Sequence, residues 1–183
     1  MIVIVGESGS GKTTLANNFI KAHPEYRKIV TYTTRPKRSG EIDGIDYHFI
    51  SADQFKRLVE ENFFIEYTTY RDWYYGTAKT DCEDDYTVAV LNPPGLRKFK
   101  RLGVNCTSVY LNVDRRSRLI QMLNRGDEIE EAYRRNITDV GQFSGVESEV
   151  DFVIENHSYK NSEETTLAKL EECLKIRRVM NDG

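Results

Sequence analysis

The sequence predicts an α/β fold, with a mainly parallel sheet covered by helices on both faces. Three observations carry that prediction. A glycine-rich loop, Gly6-Glu7-Ser8-Gly9-Ser10-Gly11-Lys12-Thr13, stands between the apolar run at 2–5 and a helical pattern. Strand-like runs and amphipathic helical stretches then alternate towards the C-terminus. Between them, residues 46–76 are aromatic and strand-rich, which reads as a small mixed-β insertion.

The elements follow in order. Ile2-Val3-Ile4-Val5 is a buried strand, and Leu15, Ala16, Phe19 and Ile20 mark one apolar face of a helix over about 11–22, ended by His23-Pro24. A strand is expected at 28–32, before the charged turn formers of 33–41. Ser51-Ala52-Asp53-Gln54 has the form of a capping box, starting a short helix through Phe55, Leu58 and Val59. Strands are expected at 63–67 and 73–76. Thr87-Val88-Ala89-Val90-Leu91 suits a buried parallel strand, followed after Asn92-Pro93-Pro94-Gly95 by a basic helix over 96–102. A strand at 108–112 precedes a helix at 115–124, which Gly126 ends. The stretch 128–138 is helical but charged nearly all round, broken at Gly141. A last strand lies at 151–155, and Asn161 with Glu164 starts the terminal helix of Leu167, Leu170 and Leu174.

Composition bounds the function. A chain of 183 residues suits one domain with a substantial core. With 30 % charged residues and a net charge of −3, it has no electrostatic signature of nucleic-acid or membrane-surface binding. The three cysteines, Cys82, Cys106 and Cys173, have no metal-like or C-x-x-C spacing and read as reduced thiols of a cytoplasmic protein. No long apolar run or cleavable leader is seen, so a soluble, unprocessed chain is expected.

The loop matches G-x-x-x-x-G-K-[ST]. Its glycines let successive amides point into one concavity, and the helix start adds its positive dipole end. Gly6, Ser8, Gly9, Ser10, Gly11, Lys12, Thr13 and Thr14 are therefore the candidates for holding a nucleoside triphosphate, with the Lys12 charge on the β/γ-phosphates and the Thr13 hydroxyl on Mg²⁺. Arg35 and Arg38 in a proline-containing turn, with Tyr47 and Tyr75, form a donor set suited to a second phosphate, or else a solvated basic turn beside two strand tyrosines. Glu66 lies in an apolar run. Either it faces outward in strand alternation, or it is a buried carboxylate, able to accept both N1–H and N2–H of guanine.

Together these residues resemble the guanylate kinase family. The resemblance rests on residues 6–15, on Thr33-Thr34-Arg35-Pro36-Lys37-Arg38-Ser39-Gly40-Glu41 with Gly44 and Asp46-Tyr47-His48-Phe49, on Phe64-Ile65-Glu66, and on Tyr74-Tyr75-Gly76-Thr77. It extends more weakly through Arg125-Gly126, Arg135 and Asp151 to Asn156. It implies a P-loop NTPase core (about 1–32, 78–124 and 147–183), an acceptor-binding subdomain (about 33–77) and a helical lid (about 125–146). The implied reaction moves the γ-phosphoryl group of MgATP to GMP or dGMP. By the same resemblance Arg35, Arg38, Tyr47 and Tyr75 hold the acceptor phosphate, while Glu66, Thr77 and Thr31 read guanine. Arg125 and Arg135 are lid arginines; with Lys12 and Arg35 they form the catalytic set. Asn156 lies near adenine. A monomer or homodimer is expected, without nucleic acid or membrane.

The chain departs from the family pattern in places. Val90 and Asn92 replace two acidic residues, the first near the metal's water shell and the second near the acceptor. Gln121 stands for a lid arginine, the lid is about one residue shorter, and Arg71 and Trp73 replace smaller residues before Tyr75. Two other functions fit such a site: phosphorylation of another phosphorylated small molecule such as a ribose phosphate, and non-catalytic phosphopeptide binding. Glu66 with Thr77 argues against the first, Lys12 with Thr13 against the second.

Overall fold

A computed structural model describes residues 1–38, 40–70 and 72–182; the expectations for Ser39 and Arg71 lie outside them. Two sheets organise the chain. In the larger, β2 (Arg27–Lys28), β7 (Thr87–Leu91), β1 (Ile2–Val5), β8 (Thr107–Asn112) and β9 (Phe152–Glu155) lie side by side in that order. Every pairing is parallel, with Ile2 beside Val88 on one side and Thr107 on the other.

The period of two decides how this sheet is covered. Ile2 and Ile4 pack with Leu15 and Phe19 of α1 (Lys12–Ala22) and Leu170 of α6 (Glu163–Asp182). Val3 and Val5, one residue out of phase, pack with Leu96 and Phe99 of α3 (Pro93–Arg101) and with Phe143. Both faces are buried, which is why these strands read as continuous apolar runs. β1 lies between β7 and β8 at the centre, so the crossovers diverge there and open a cleft at the strands' carboxyl ends.

The second sheet is mixed, in the order β4 (His48–Phe49), β3 (Tyr32–Thr33), β6 (Trp73–Ala78) and β5 (Phe64–Tyr70). β3 pairs parallel with β4 and antiparallel with β6. Its core is a stack of rings: Phe55 of α2 (Ala52–Glu60) lies 4.6 Å from Phe64 and 5.3 Å from Tyr74, centroid to centroid. A Cβ on Gly76 would come within 2.8 Å of the Phe64 ring, so only glycine fits beneath that stack. The Ser51 capping box is formed as the sequence predicts.

Several expectations are corrected. The strand expected at 28–32 is two short strands, β2 and β3, in different sheets, so the chain leaves one sheet and enters the other within those residues. The basic helix starts at Pro93 rather than Leu96, because Asn92 caps it and proline suits the first turn. Downstream of α4 (Arg115–Asn124), α5 (Ile129–Gln142) runs through Gly141. The terminal helix is capped by Ser162, whose Oγ accepts from the Thr165 amide; the Asn161 side chain instead donates to the Glu155 carbonyl.

Candidate active site

The glycine-rich loop joins β1 to α1 with little room to spare. A Cβ on Gly9, whose φ is +80°, would lie 2.6 Å from the Arg118 carbonyl of α4, and one on Gly6 would lie 3.0 Å from the Leu111 carbonyl. Gly11 caps α1 with no side-chain hydrogen bond, so the first amides of the helix are left for an anion. Lys12 Nζ donates to the Glu7 carbonyl at 2.8 Å. Burial lowers the Lys12 pKa to about 8; Asp139 and Glu7 oppose that shift, and Arg135 and Arg118 add to it.

Behind the loop lies a cluster of buried charges. Glu7, Arg118 and Asp139 are 8 %, 3 % and 1 % exposed, which is affordable only because they face one another. Arg118 Nη2 is 3.3 Å from Glu7 Oε1 and its Nη1 is 3.7 Å from Asp139 Oδ2. Its Nε donates to the Val113 carbonyl, and the Tyr110 hydroxyl donates to Glu7 Oε2 at 2.9 Å. Asp139 Oδ2 also accepts from the Ser8 amide at 2.7 Å, and the Tyr159 hydroxyl donates to the Gly9 carbonyl. The loop is thus pinned by side chains from β8, α4, α5 and the segment after β9. Sequence reasoning missed these residues. Asp139 was the most recoverable, because Ala132, Asn136 and Asp139 repeat at helical spacing and form the buried face of α5.

On the other side of the cleft, Arg35 is buried and donates through Nη2 to Glu41 Oε1 at 2.6 Å and through Nη1 to the Pro36 carbonyl. Its guanidinium lies 5.3 Å from the Tyr47 ring centre. The Arg38 amide donates to Glu41 Oε2. Burial lowers the Arg38 pKa to about 10, and the charges of Arg135, Arg35 and Arg125 add to that shift against Glu41. Cations from both sides of the cleft therefore converge, as an anion site requires. Tyr47 and Tyr75 stand 6.1 Å apart, centre to centre. Arg125 Nε donates to Asp127 Oδ1 at 2.9 Å and Arg135 Nη1 to Asp127 Oδ2 at 3.0 Å, so one carboxylate gathers both arginines.

Glu66 is 3 % exposed, which overturns the outward-facing alternative. A register shift in β5 between Phe64 and Glu66 sets Glu66 directly opposite Thr77. The Thr77 hydroxyl donates to Glu66 Oε1 at 2.6 Å, while Oε2 is buried with no hydrogen-bond partner. Burial raises the Glu66 pKa to about 7, against the opposing effects of Thr77 and Lys98. Asn92 Oδ1 accepts from the Gly95 amide at 2.9 Å, and its Nδ2 donates to Thr68 Oγ1 at 3.3 Å.

Three cavities gather most of the sequence-predicted residues. The largest, about 630 Å³, holds Gly9, Lys12, Thr13, Arg38, Arg125 and Arg135. A second, about 130 Å³, holds Gly6, Thr31, Glu66, Tyr75 and Asn92. Ser8, Lys12, Thr31, Tyr47, Val90 and Arg135 line both, so the two are one continuous cleft. The third, about 310 Å³, holds Ser10, Gly11, Thr14 and Asn156. Asn156 is held there between Thr166 Oγ1 and the Asn161 amide. Arg35 and Thr77 line none of the three; they stand behind Glu41 and Glu66. Among the described residues no group of acidic, histidine and cysteine side chains could cage a metal, and no helix is long and apolar enough to cross a membrane.

The family model described as guanylate kinase matches residues 1–176. A guanylate kinase of Methylococcus capsulatus is 33 % identical over 87 % of this chain and 81 % of its own length. One from Pseudoalteromonas translucida is 28 % identical over 98 % of this chain and 88 % of its own. Among solved structures, guanylate kinase from Anaplasma phagocytophilum superposes with a TM-score of 0.72 at 22 % identity, covering 97 % of this chain and 85 % of that one. Shikimate kinase from Bacteroides thetaiotaomicron gives a TM-score of 0.57 at 15 % identity, over 95 % and 97 %. These two superpositions bear on the fold.

Proposed function

The chain belongs to the guanylate kinase family, and from that premise we propose that its cleft transfers the γ-phosphoryl group of ATP to GMP, giving ADP and GDP. The observation that carries this reading is the continuous cleft with Lys12 and Thr13 at one end and a buried, half-partnered Glu66 at the other. A site for triphosphate alone has no use for the second end.

The loop amides and Lys12 hold the β/γ-phosphates of ATP, with adenine towards Asn156 in the third cavity. The acceptor phosphate lies among Arg38, Tyr47 and Tyr75, with Arg35 holding Glu41 and the turn in place. Glu66 Oε2 accepts from the base, with Thr77 fixing the carboxylate and Thr31 lining the same wall. Arg125 and Arg135 leave Asp127 to neutralise the transferring group. The attacking oxygen belongs to a phosphate already anionic, so no general base is required.

The residues fit Mg²⁺ of the kind that keeps most of its water. Thr13 is exposed in the cleft and, among the described residues, no carboxylate cage surrounds it, so protein ligation would be sparse and the nucleotide's phosphates would supply the rest. Thr13 would hold the ion, and when bound Mg²⁺ would supply positive charge to offset that of the phosphates. Val90, which lines the cleft, contributes no acidic partner to its water shell.

The test is coupled ADP release with ATP, Mg²⁺ and, in turn, GMP, dGMP, AMP, CMP, UMP and ribose 5-phosphate. Turnover that depends on GMP or dGMP is expected. Folded protein that binds ATP yet turns over none of these acceptors, or prefers ribose 5-phosphate, overturns the reading.

A further inference from the structure

The peptide that joins Glu7 to Ser8 is held from both of its edges. Its N–H donates to Asp139 Oδ2 at 2.7 Å, and its carbonyl accepts from Lys12 Nζ at 2.8 Å. In a trans peptide these two groups point in opposite directions, so a carboxylate on one side and an ammonium on the other fix one orientation of the plane. The charge that draws the N–H also polarises the carbonyl, which makes it a stronger acceptor for Lys12.

The surroundings of the peptide are held as well. The Glu7 side chain is turned to Arg118 and Tyr110, and Arg118 Nη1 lies 3.7 Å from the same Asp139 oxygen. Asp139 is buried, yet it lines one cavity together with Ser8, Lys12 and Arg135. It follows Arg135 on α5 by one turn of the helix, so the helix that carries Arg135 also sets the loop.

A lysine carries three N–H donors on a flexible stem. With one donor anchored on the Glu7 carbonyl, the Lys12 ammonium is held beside the loop and the others remain for phosphate. Released from that carbonyl, the ammonium samples many rotamers, and a phosphate must order it at an entropic cost. Resting on the donor reading above, we propose that Asp139 is a positioning residue for Lys12, acting through the Glu7–Ser8 peptide.

The experiment is a double-mutant cycle on MgATP affinity, read by calorimetry on the wild-type protein, Lys12→Met, Asp139→Ala and the pair. Asp139→Ala is expected to weaken MgATP binding about tenfold when Lys12 is present, and less than about twofold when methionine has replaced it. A carboxylate that only supports the fold would cost the same in both backgrounds. Equal losses, or a loss below about threefold with Lys12 present, overturn the inference. Asp139→Asn supplies the rescue: Ser8 N–H and Arg118 Nη1 face one oxygen, Oδ2, so a single amide oxygen serves both. Its affinity for MgATP is expected within about threefold of wild type, and a larger loss overturns the inference. If Asp139→Ala does not fold, this variant decides. If the wild-type protein binds no MgATP, the donor reading fails by itself. The crystal structure of nucleotide-free Asp139→Ala then decides: the contact of Lys12 with the Glu7 carbonyl is expected to be lost, and its persistence overturns the inference.

Discussion

The two ends of the cleft are built on opposite plans. At the phosphate loop main-chain and side-chain groups are held from elsewhere in the fold: Ser8 N–H on Asp139, Gly9 carbonyl on Tyr159, Glu7 between Arg118 and Tyr110, while Ser10 Oγ and Arg118 Nη1 are buried without a hydrogen-bond partner. At the other end a side chain lines the cleft with a buried carboxylate oxygen, Glu66 Oε2, that has no hydrogen-bond partner. On the reading proposed above, the first plan sets main-chain amides around phosphates common to all nucleotides, and the second leaves a desolvated oxygen that the base would pair. Generality would then sit in the backbone and selectivity in the side chains.

The largest expected effect breaks the loop end. If Lys12 supplies the cation at the transferring phosphate, as proposed, Lys12→Ala should lower kcat by about 10³-fold, with GMP affinity changed less than about threefold. Steady-state kinetics and calorimetry together check this; equal losses in both would mean that the two ends are not separable. Next is the buried cluster behind it. Arg118→Met keeps the bulk of the stem but leaves Glu7 and Asp139 facing each other without their cation. A loss of about 3 kcal/mol in denaturant unfolding is expected. A loss below about 1 kcal/mol would show that the cluster does not pin the loop.

At the acceptor end the effect is smaller and depends on pH. The folded-state pKa of Glu66 is raised to about 7 from its ordinary value of 4.5, by burial first. The native state therefore holds a proton that the unfolded state has released between those values. Stability associated with this group is fully present below pH 4.5 and is lost as pH rises through about 7. Glutamine does not titrate, so Glu66→Gln should gain stability relative to wild type between pH 5 and pH 8, by roughly 2 kcal/mol. A gap that stays constant across that range would mean that Glu66 is ionised throughout.

Legibility in the sequence follows the same division. The loop, α1 and the central strands were readable because backbone demands leave compositional marks: glycines at fixed spacing, apolar runs of strand length. Glu66 was visible as a carboxylate in an apolar run, but its burial depends on the register shift in β5, which no local pattern encodes. Asn92 is visible as a departure from the family; its capping of α3 through the Gly95 amide shows only in the structure. The Glu7–Arg118–Asp139 cluster joins residues more than a hundred positions apart, and each of them alone looks like an ordinary surface charge. Two short strands were merged into one because both sheets use the same β-prone stretch, and only tertiary pairing separates them.

The smallest effect lies between the two ends, at Asp127. Its carboxylate holds Arg125 and Arg135, and on the reading proposed above phosphates would compete with it for both. Arg125 is half exposed, so that pair is screened, and the competition amounts to about 0.5 kcal/mol. Asp127→Asn keeps an acceptor oxygen but removes the charge, so KM for ATP should fall about twofold with little change in unfolding free energy. A rise in KM would reverse the assignment: Asp127 would then be holding the arginines in position for the phosphates, as Asp139 and Tyr159 hold the loop, rather than releasing them to the ligand.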